Sequence, residues 1–296
     1  MLSLVRVLFV AYQFPPVGGA GVQRVTKLVQ YLPVYGIRPL VLTVANPSVP
    51  VRDESLLRDV PSDVHVERVR TLEPAYSVKR ALGRRSDEGR PGLLPRALRL
   101  TSRVASGVLF PDPQILWLPA AARAIARMAR EKREVDAVVI TAPPFSQLLL
   151  APWIRKTLRA PVIIDYRDEW ETTLRAGHDL PASDTATRLA RWLERRIVTQ
   201  ADAVTTATQE FRSSLLDRVG ELDPGRVHFL PNGWDAADMP RQAKTPPRDR
   251  FRIAYAGTVL RLTSLRNVIG ALRILHAERP DMAACIELVV YGRIAP

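Results

Sequence analysis

The sequence predicts an α/β fold: a doubly wound, Rossmann-like parallel sheet followed by the incomplete opening of a second α/β domain. Three observations predict it. Short apolar runs rich in Val, Ile and Leu alternate with amphipathic segments, the pattern of buried parallel strands joined by helical crossovers. A glycine-rich turn joins the first apolar run to the first amphipathic segment. A stretch of prolines and basic residues, "MPRQAKTPPRDR" at 239–250, breaks the rhythm, and the same alternation then begins again.

Taken in order, "RVLFVAY" (6–12) reads as a buried parallel strand. In the following "GVQRVTKLVQYLPVYG", Val22, Val25, Leu28, Val29 and Leu32 form one helical face, and Gly36 is placed to end it. "RPLVLTVA" (38–45) and "VHVERV" (64–69) are the next strands, completing a β-α-β opening. Between Leu72 and Phe110 the pattern loosens. Lys79, Arg80, Arg84, Arg85, Arg90, Arg96, Arg99 and Arg103 outnumber Asp87 and Glu88 there, which fits either a basic amphipathic helix on an anionic membrane or a solvated insertion with one buried face.

"PAAARAIARMAREK" has strong helix propensity. "VDAVVITA" (135–142) and "PVIIDY" (161–166) are strands, with "PPFSQLLLAPWIRKTL" between them as loop then helix. Leu189, Trp192, Leu193 and Ile197 mark another amphipathic helix, and "ADAVTTAT" and "RVHFLPNG" are strands flanking the helix "QEFRSSLLDRVG". Beyond the break lie strand "FRIAYAG", helix "LRNVIGALRILHAE" and strand "CIELVVYG". The expected organisation is an N-terminal domain over 1–238, a linker over 239–250 and a second domain over 251–296. A lone β-α-β unit cannot cover both faces of its sheet, so the second domain reads as cut short.

Composition narrows the function. At 296 residues, 47% hydrophobic and 25% charged, the chain is long and apolar enough for a sizeable core. Its net charge of +13 admits phosphorylated substrates, anionic lipid or nucleic acid, although an arginine-rich composition accounts for much of the excess. No nucleic-acid-binding signature accompanies it, so no nucleic-acid partner is expected. A single cysteine, Cys285, excludes a disulfide framework within one chain and fits a reducing, cytoplasmic compartment. No apolar run approaches the ~20 residues of a membrane span. The histidines at 65, 178, 228 and 276 have no metal-site spacing, and there is no G-x-S-x-G elbow, so neither a metal nor a hydrolase triad is expected.

Four motifs carry candidate chemistry. "AYQFPPVGGAGVQR" (11–24) is neither a dinucleotide fingerprint, because Arg24 stands in the third glycine's place, nor a Walker loop. It offers Gly18 and Gly19 at a helix N-terminus as a generic anion site, with Arg24 and Lys27 nearby, or else a tight turn. "IIDYRDEW" puts Asp165, Arg167, Asp168 and Glu169 at a strand's carboxyl end beside Trp170, a residue type that stacks on sugars. Arg167 could steer phosphate, and Asp168 could hold a sugar hydroxyl or serve acid–base chemistry. "TAPPFS" places Thr141 and Ser146 around two prolines, and "FLPNGWD" signals a turn with Asp235 free to cap the next segment.

Together and in this order, these segments resemble the N-terminal half of the retaining, nucleotide-sugar-dependent glycosyltransferases of family 4, which have the two-domain GT-B fold. "FPPVGGAGVQR", "VITAPPFS", "PVIIDYRDEW", "ADAVTTAT", "PNGWD" and "IAYAGTVLRLTSLRNVIGAL" carry the resemblance. It implies transfer of a sugar from a nucleotide-diphosphate donor to a glycan or lipid-linked acceptor in cell-surface polysaccharide or glycolipid synthesis. The implied donor-diphosphate residues are Gly18, Gly19, Arg24, Gly257, Thr258 and Arg266, with Arg261 a weaker match. Asp168 is the implied catalytic candidate, and Arg167, Trp170 and Ser146 face the acceptor or cleft.

Leaving-group charge would be neutralised by cations and oriented amides without a metal or cofactor. The implied location is cytoplasmic, at the inner face of the plasma membrane through 79–103. The sequence departs from the family in carrying Arg167-Asp168 where several members have histidine, and in lacking the late pair of glutamates of the donor-binding domain. Impaired turnover by this chain alone is therefore expected. The alternative is a non-catalytic acceptor- or membrane-binding module derived from such an enzyme. A dinucleotide oxidoreductase is disfavoured by Arg24 and by Asn46 ending the second strand.

Overall fold

A computed structural model of the chain describes residues 4–77, 109–175, 184–239, 250–259 and 263–292. Contacts divide it into two units, Met1–Gly233 and Trp234–Pro296. The basic stretch at 79–103 lies outside the described residues.

The first unit is built on seven parallel strands: β1 (Val5–Val10), β2 (Ile37–Val44), β3 (His65–Val69), β4 (Ala137–Ala142), β5 (Val162–Tyr166), β6 (Ala203–Thr206) and β7 (Val227–Phe229). Their order across the sheet is β3-β2-β1-β4-β5-β6-β7. The chain winds outward from β1 to β3, then returns to lay β4 on the other side of β1. That reversal leaves a crevice beyond the carboxyl ends of β1 and β4, the ligand position of doubly wound sheets.

The apolar runs are continuous because both sheet faces are covered. Along β1, Leu8 and Val10 enter one core cluster while Val7 and Phe9 enter another. The first cluster packs beneath helices α2 (Leu118–Arg130), α3 (Ala151–Leu158), α5 (Asp184–Val198) and α6 (Gln209–Arg218). The second packs beneath α1 (Ala20–Tyr31) through Val25 and Val29. Removing each such side chain from water contributes roughly 1.5–3 kcal/mol. A short helix, α4 (Trp170–Arg175), follows β5. Gly36 closes the turn after α1 in the left-handed region, at φ 75°, where its amide reaches back to the carbonyls of Leu32 and Pro33.

The second unit is a single β-α-β: β8 (Phe251–Ala256), α7 (Arg266–Glu278), the short α8 (Pro280–Ala283) and β9 (Ile286–Tyr291), with β8 and β9 paired in parallel. None of its described residues is buried. Asp235, at the start of this unit, accepts the amide of Ala237 as a cap. No helix among the described residues is long and apolar enough to cross a membrane.

Candidate functional site

The crevice is built from four strand ends. After β1 the chain runs through "YQFPPVGGAG" into α1, whose first turn carries no acidic residue and no side-chain cap. Gly19 is the N-cap at φ 101°, a conformation other residues adopt only with strain, and it is exposed. A Cβ at Gly18 would press into Val51 Cγ1 at 2.7 Å, so this glycine serves close packing against the 51–53 segment. A Cβ at Gly21 would collide with Gln13 Oε1 and sit 3.1 Å from Arg167 Nη1. The Val22 amide turns back to the Gly19 carbonyl at 3.3 Å, and the first amides of the helix lie at the carboxyl end of the sheet.

Arg24 directs its guanidinium to protein partners. Its Nε and Nη2 donate to Asp165 at 2.8–3.1 Å, and its Nη1 donates to the Pro231 carbonyl at 3.1 Å and to Asn232 Oδ1 at 3.3 Å. Asp165 also accepts the hydroxyls of Thr141 at 3.0 Å and Thr205 at 2.6 Å. This buried knot ties α1 to the ends of β4, β5 and β6 and to the 231–232 turn.

The other charges of "DYRDEW" separate. Glu169 pairs with Arg218 and accepts from Ser214 and Thr172; burial works against its charge, but these partners outweigh it and hold the carboxyl below its ordinary range. Asp168 is exposed. Trp170 is fully buried and stacks on Phe145 with ring centroids 5.1 Å apart, so its indole belongs to the core and offers no face to a sugar. Ser146 is equally buried, held there because Asp112 accepts its amide at 2.9 Å and that of Phe145 at 2.7 Å.

Arg167 is the unusual member. It is only 8% exposed, and its Nη2 donates to the Pro143 carbonyl, yet Nε and Nη1 have no hydrogen-bond partner. Burial is the main influence and pulls the guanidinium down to about 10, against the attraction of Asp165 and Asp168, so it remains a cation at neutral pH. This buried, incompletely satisfied cation thus lies beside a helix N-terminus with no side-chain cap, two features that favour negative charge.

In the second unit Gly257 ends β8 at φ 144°, and the Thr258 carbonyl accepts the hydroxyls of Tyr255 and Thr263, each at 3.0 Å. Arg266 opens α7 and is exposed; Arg261 lies outside the described residues. Two further residues shape the crevice without having been singled out in the sequence. Gln147 bridges the switch point, accepting the Tyr12 amide at 3.0 Å and donating to the Thr141 carbonyl, and no local signal announces it. Asp112 is different: its place between Pro111 and Pro113 is a turn signal that would have suggested amide capping. A depression lined by Arg6, Lys132, Arg133 and Asp136 lies at the amino ends of β1 and β4, opposite the crevice, and Arg6 and Arg133 there are paired with Asp136 and Glu131.

Solved structures share this fold. Sucrose-phosphate synthase from Thermosynechococcus elongatus matches with a TM-score of 0.53 at 12% identity over 97% of this chain and 70% of its own. An Escherichia coli trehalose-6-phosphate protein bound with UDP-2-fluoro glucose matches at 0.51 with 13% identity, over 98% of this chain and 65% of its own. Phytolacca americana UGT2, complexed with UDP-2fluoro-glucose and pterostilbene, matches at 0.50 with 12% identity, over 98% and 72% respectively. No curated protein sequence matches the chain. Sheet order, switch-point crevice and second β-α-β unit define a GT-B-type glycosyltransferase fold. Residues 18–233 match the family model described as Glycosyl transferase 4-like domain, and the chain belongs to that family.

Proposed function

We propose that the chain is the acceptor-side part of a transferase that moves a sugar from a nucleotide-diphosphate donor to a hydroxyl. One observation carries this reading: Arg167, buried with Nε and Nη1 unsatisfied, stands at the uncapped start of α1. A diphosphate held at the helix start would accept from the amides beyond Gly19, with the buried Arg167 cation behind them stabilising the charge that develops on the leaving group. Family membership supports the reaction class, and the UDP-sugar complexes of the E. coli and Phytolacca proteins support a nucleotide-sugar as donor.

Within this reading Gly18 shapes the loop, Asp168 is the exposed carboxylate beside the anion site, and Arg24 positions the crevice wall. Gly257, Thr258 and Arg266 would serve the donor from the second unit, with no metal or cofactor required. We expect slow turnover by this chain, because a second unit with no buried described residue gives a donor little enclosure. The acceptor is a cell-surface glycan or a lipid-linked one, reached from the cytoplasmic side with the basic 79–103 stretch against anionic membrane.

Calorimetric titration with UDP, GDP and their glucose conjugates tests the site. At least one nucleoside diphosphate should bind, and both Arg167→Met and Gly19→Val should weaken it by about tenfold or more, the loss of one favourable interaction. Undiminished affinity in a folded Arg167→Met protein refutes the assignment.

A further inference from the structure

We propose that the outer face of α5 is a docking surface for an anionic phospholipid bilayer, distinct from the 79–103 stretch. The sequence pattern groups Leu189, Trp192, Leu193 and Ile197 on one helical face, but the structure separates them. Thr187, Ala190, Glu194, Ile197 and Val198 face the core, while Leu189 is 43% and Trp192 54% exposed. These two lie three residues apart, on one side of a helix whose other side is fixed to the sheet.

The α5 side chains flanking them are cationic. Arg188, Arg191, Arg195 and Arg196 surround the apolar pair. Arg191 is neutralised by Glu171 and Arg195 by Glu221, whereas Arg188 and Arg196 have no acidic partner among the described residues. Arg196 instead lies over the Trp192 ring, 5.6 Å from its centroid. The patch thus presents an indole and a leucine flanked by two uncompensated guanidinium groups. Indole rings settle at the headgroup level, and each cation near an anionic surface contributes about 1 kcal/mol.

The size of the patch selects the occupant. Half an indole and less than half a leucine expose on the order of 150–200 Å² of apolar surface, well short of the ~800 Å² per partner of a stable protein interface. Shallow insertion into a charged bilayer needs no such area. Trp153 on α3, 44% exposed on the same helical layer and followed by exposed Lys156 and Arg159, adds a second anchor of the same kind.

Vesicle flotation of the full chain tests the proposal, using phosphatidylcholine vesicles with and without phosphatidylglycerol at low and high salt. Binding should require the anionic lipid, weaken with salt, and fall about tenfold or more in Arg188→Glu/Arg196→Glu, which leaves 79–103 intact. Trp192→Ala should also lower the fraction bound, and brominated lipid should quench the wild-type chain more than this variant. Arg188→Gln/Arg196→Gln provides the same test without added acid, and an unchanged thermal midpoint checks folding. Equal binding to neutral vesicles, or undiminished binding of the charge variants, overturns the proposal. So does loss of binding only when 79–103 is altered.

Discussion

Replacing Asp165 should damage the first unit more than any surface carboxylate. Its pairing with Arg24 is buried, with side-chain exposures of 3% and 7%, and each of its oxygens also accepts a threonine hydroxyl. Asp165→Ala leaves the Arg24 cation without its counter-charge, a loss of about 3–5 kcal/mol for a broken buried pair. For a unit of this size each kcal/mol moves the midpoint by ~2–4 °C, so the expected drop is roughly 6–20 °C. Replacing both partners, Arg24→Met with Asp165→Leu, removes the charges together and should cost less than the sum of the single changes by ~2 kcal/mol or more.

Urea unfolding followed by tryptophan fluorescence measures all of these variants, because Trp117 and Trp170 are fully buried in the first unit. The single variants should also speed amide exchange in the 230–233 turn, which Arg24 holds through Pro231 and Asn232. A cost below about 1 kcal/mol for Asp165→Ala, or strict additivity in the cycle, would show that the knot does not hold the strand ends together.

Arg167→Met should have the opposite sign, raising stability by ~1–3 kcal/mol while weakening diphosphate binding, since an apolar side chain removes unsatisfied buried N–H groups; lowered stability would mark Arg167 as structural. Burial pushes the Glu194 carboxyl above its ordinary range despite Arg218, so the folded state holds that proton more tightly than the unfolded chain. Its contribution is fullest below ~4.3 and is lost as pH rises from there through the folded value. Relative to wild type, Glu194→Gln should therefore gain stability between pH 4 and 7 in denaturant titrations, and a constant difference would refute this. In the second unit, Gly292 has a φ of 153°, and a Cβ there would collide with the Gly257 carbonyl. Gly292→Ala should accelerate exchange of the Gly257 amide, which donates to the Tyr291 carbonyl at 2.9 Å, by at least about tenfold, whereas alanine at the open Gly270 should steady α7 by ~0.5–1 kcal/mol. Equal effects at the two glycines would refute the close-approach argument.

What the sequence determined by itself was the architecture. Strands buried on both faces must be apolar at every position, and Val7, Leu8, Phe9 and Val10 show that in consecutive letters. The glycines before α1 and the strand β8 from Phe251 were legible for the same local reason: backbone geometry and periodicity are written in neighbouring residues. Partnership is not. Arg24 and Asp165 lie 141 positions apart and meet only because the sheet order sets β1, β4, β5 and β6 side by side.

That meeting engages the Arg24 guanidinium with protein partners, and the same packing drew Trp170 beneath Phe145 and left Arg167 unsatisfied at the helix start. On α5, spacing announced an amphipathic helix, but only its seating on the sheet decided that Ile197 turns inward and Trp192 outward. Which charges are spent on one another, and which remain for a ligand, is settled by long-range contacts that no local stretch of sequence encodes.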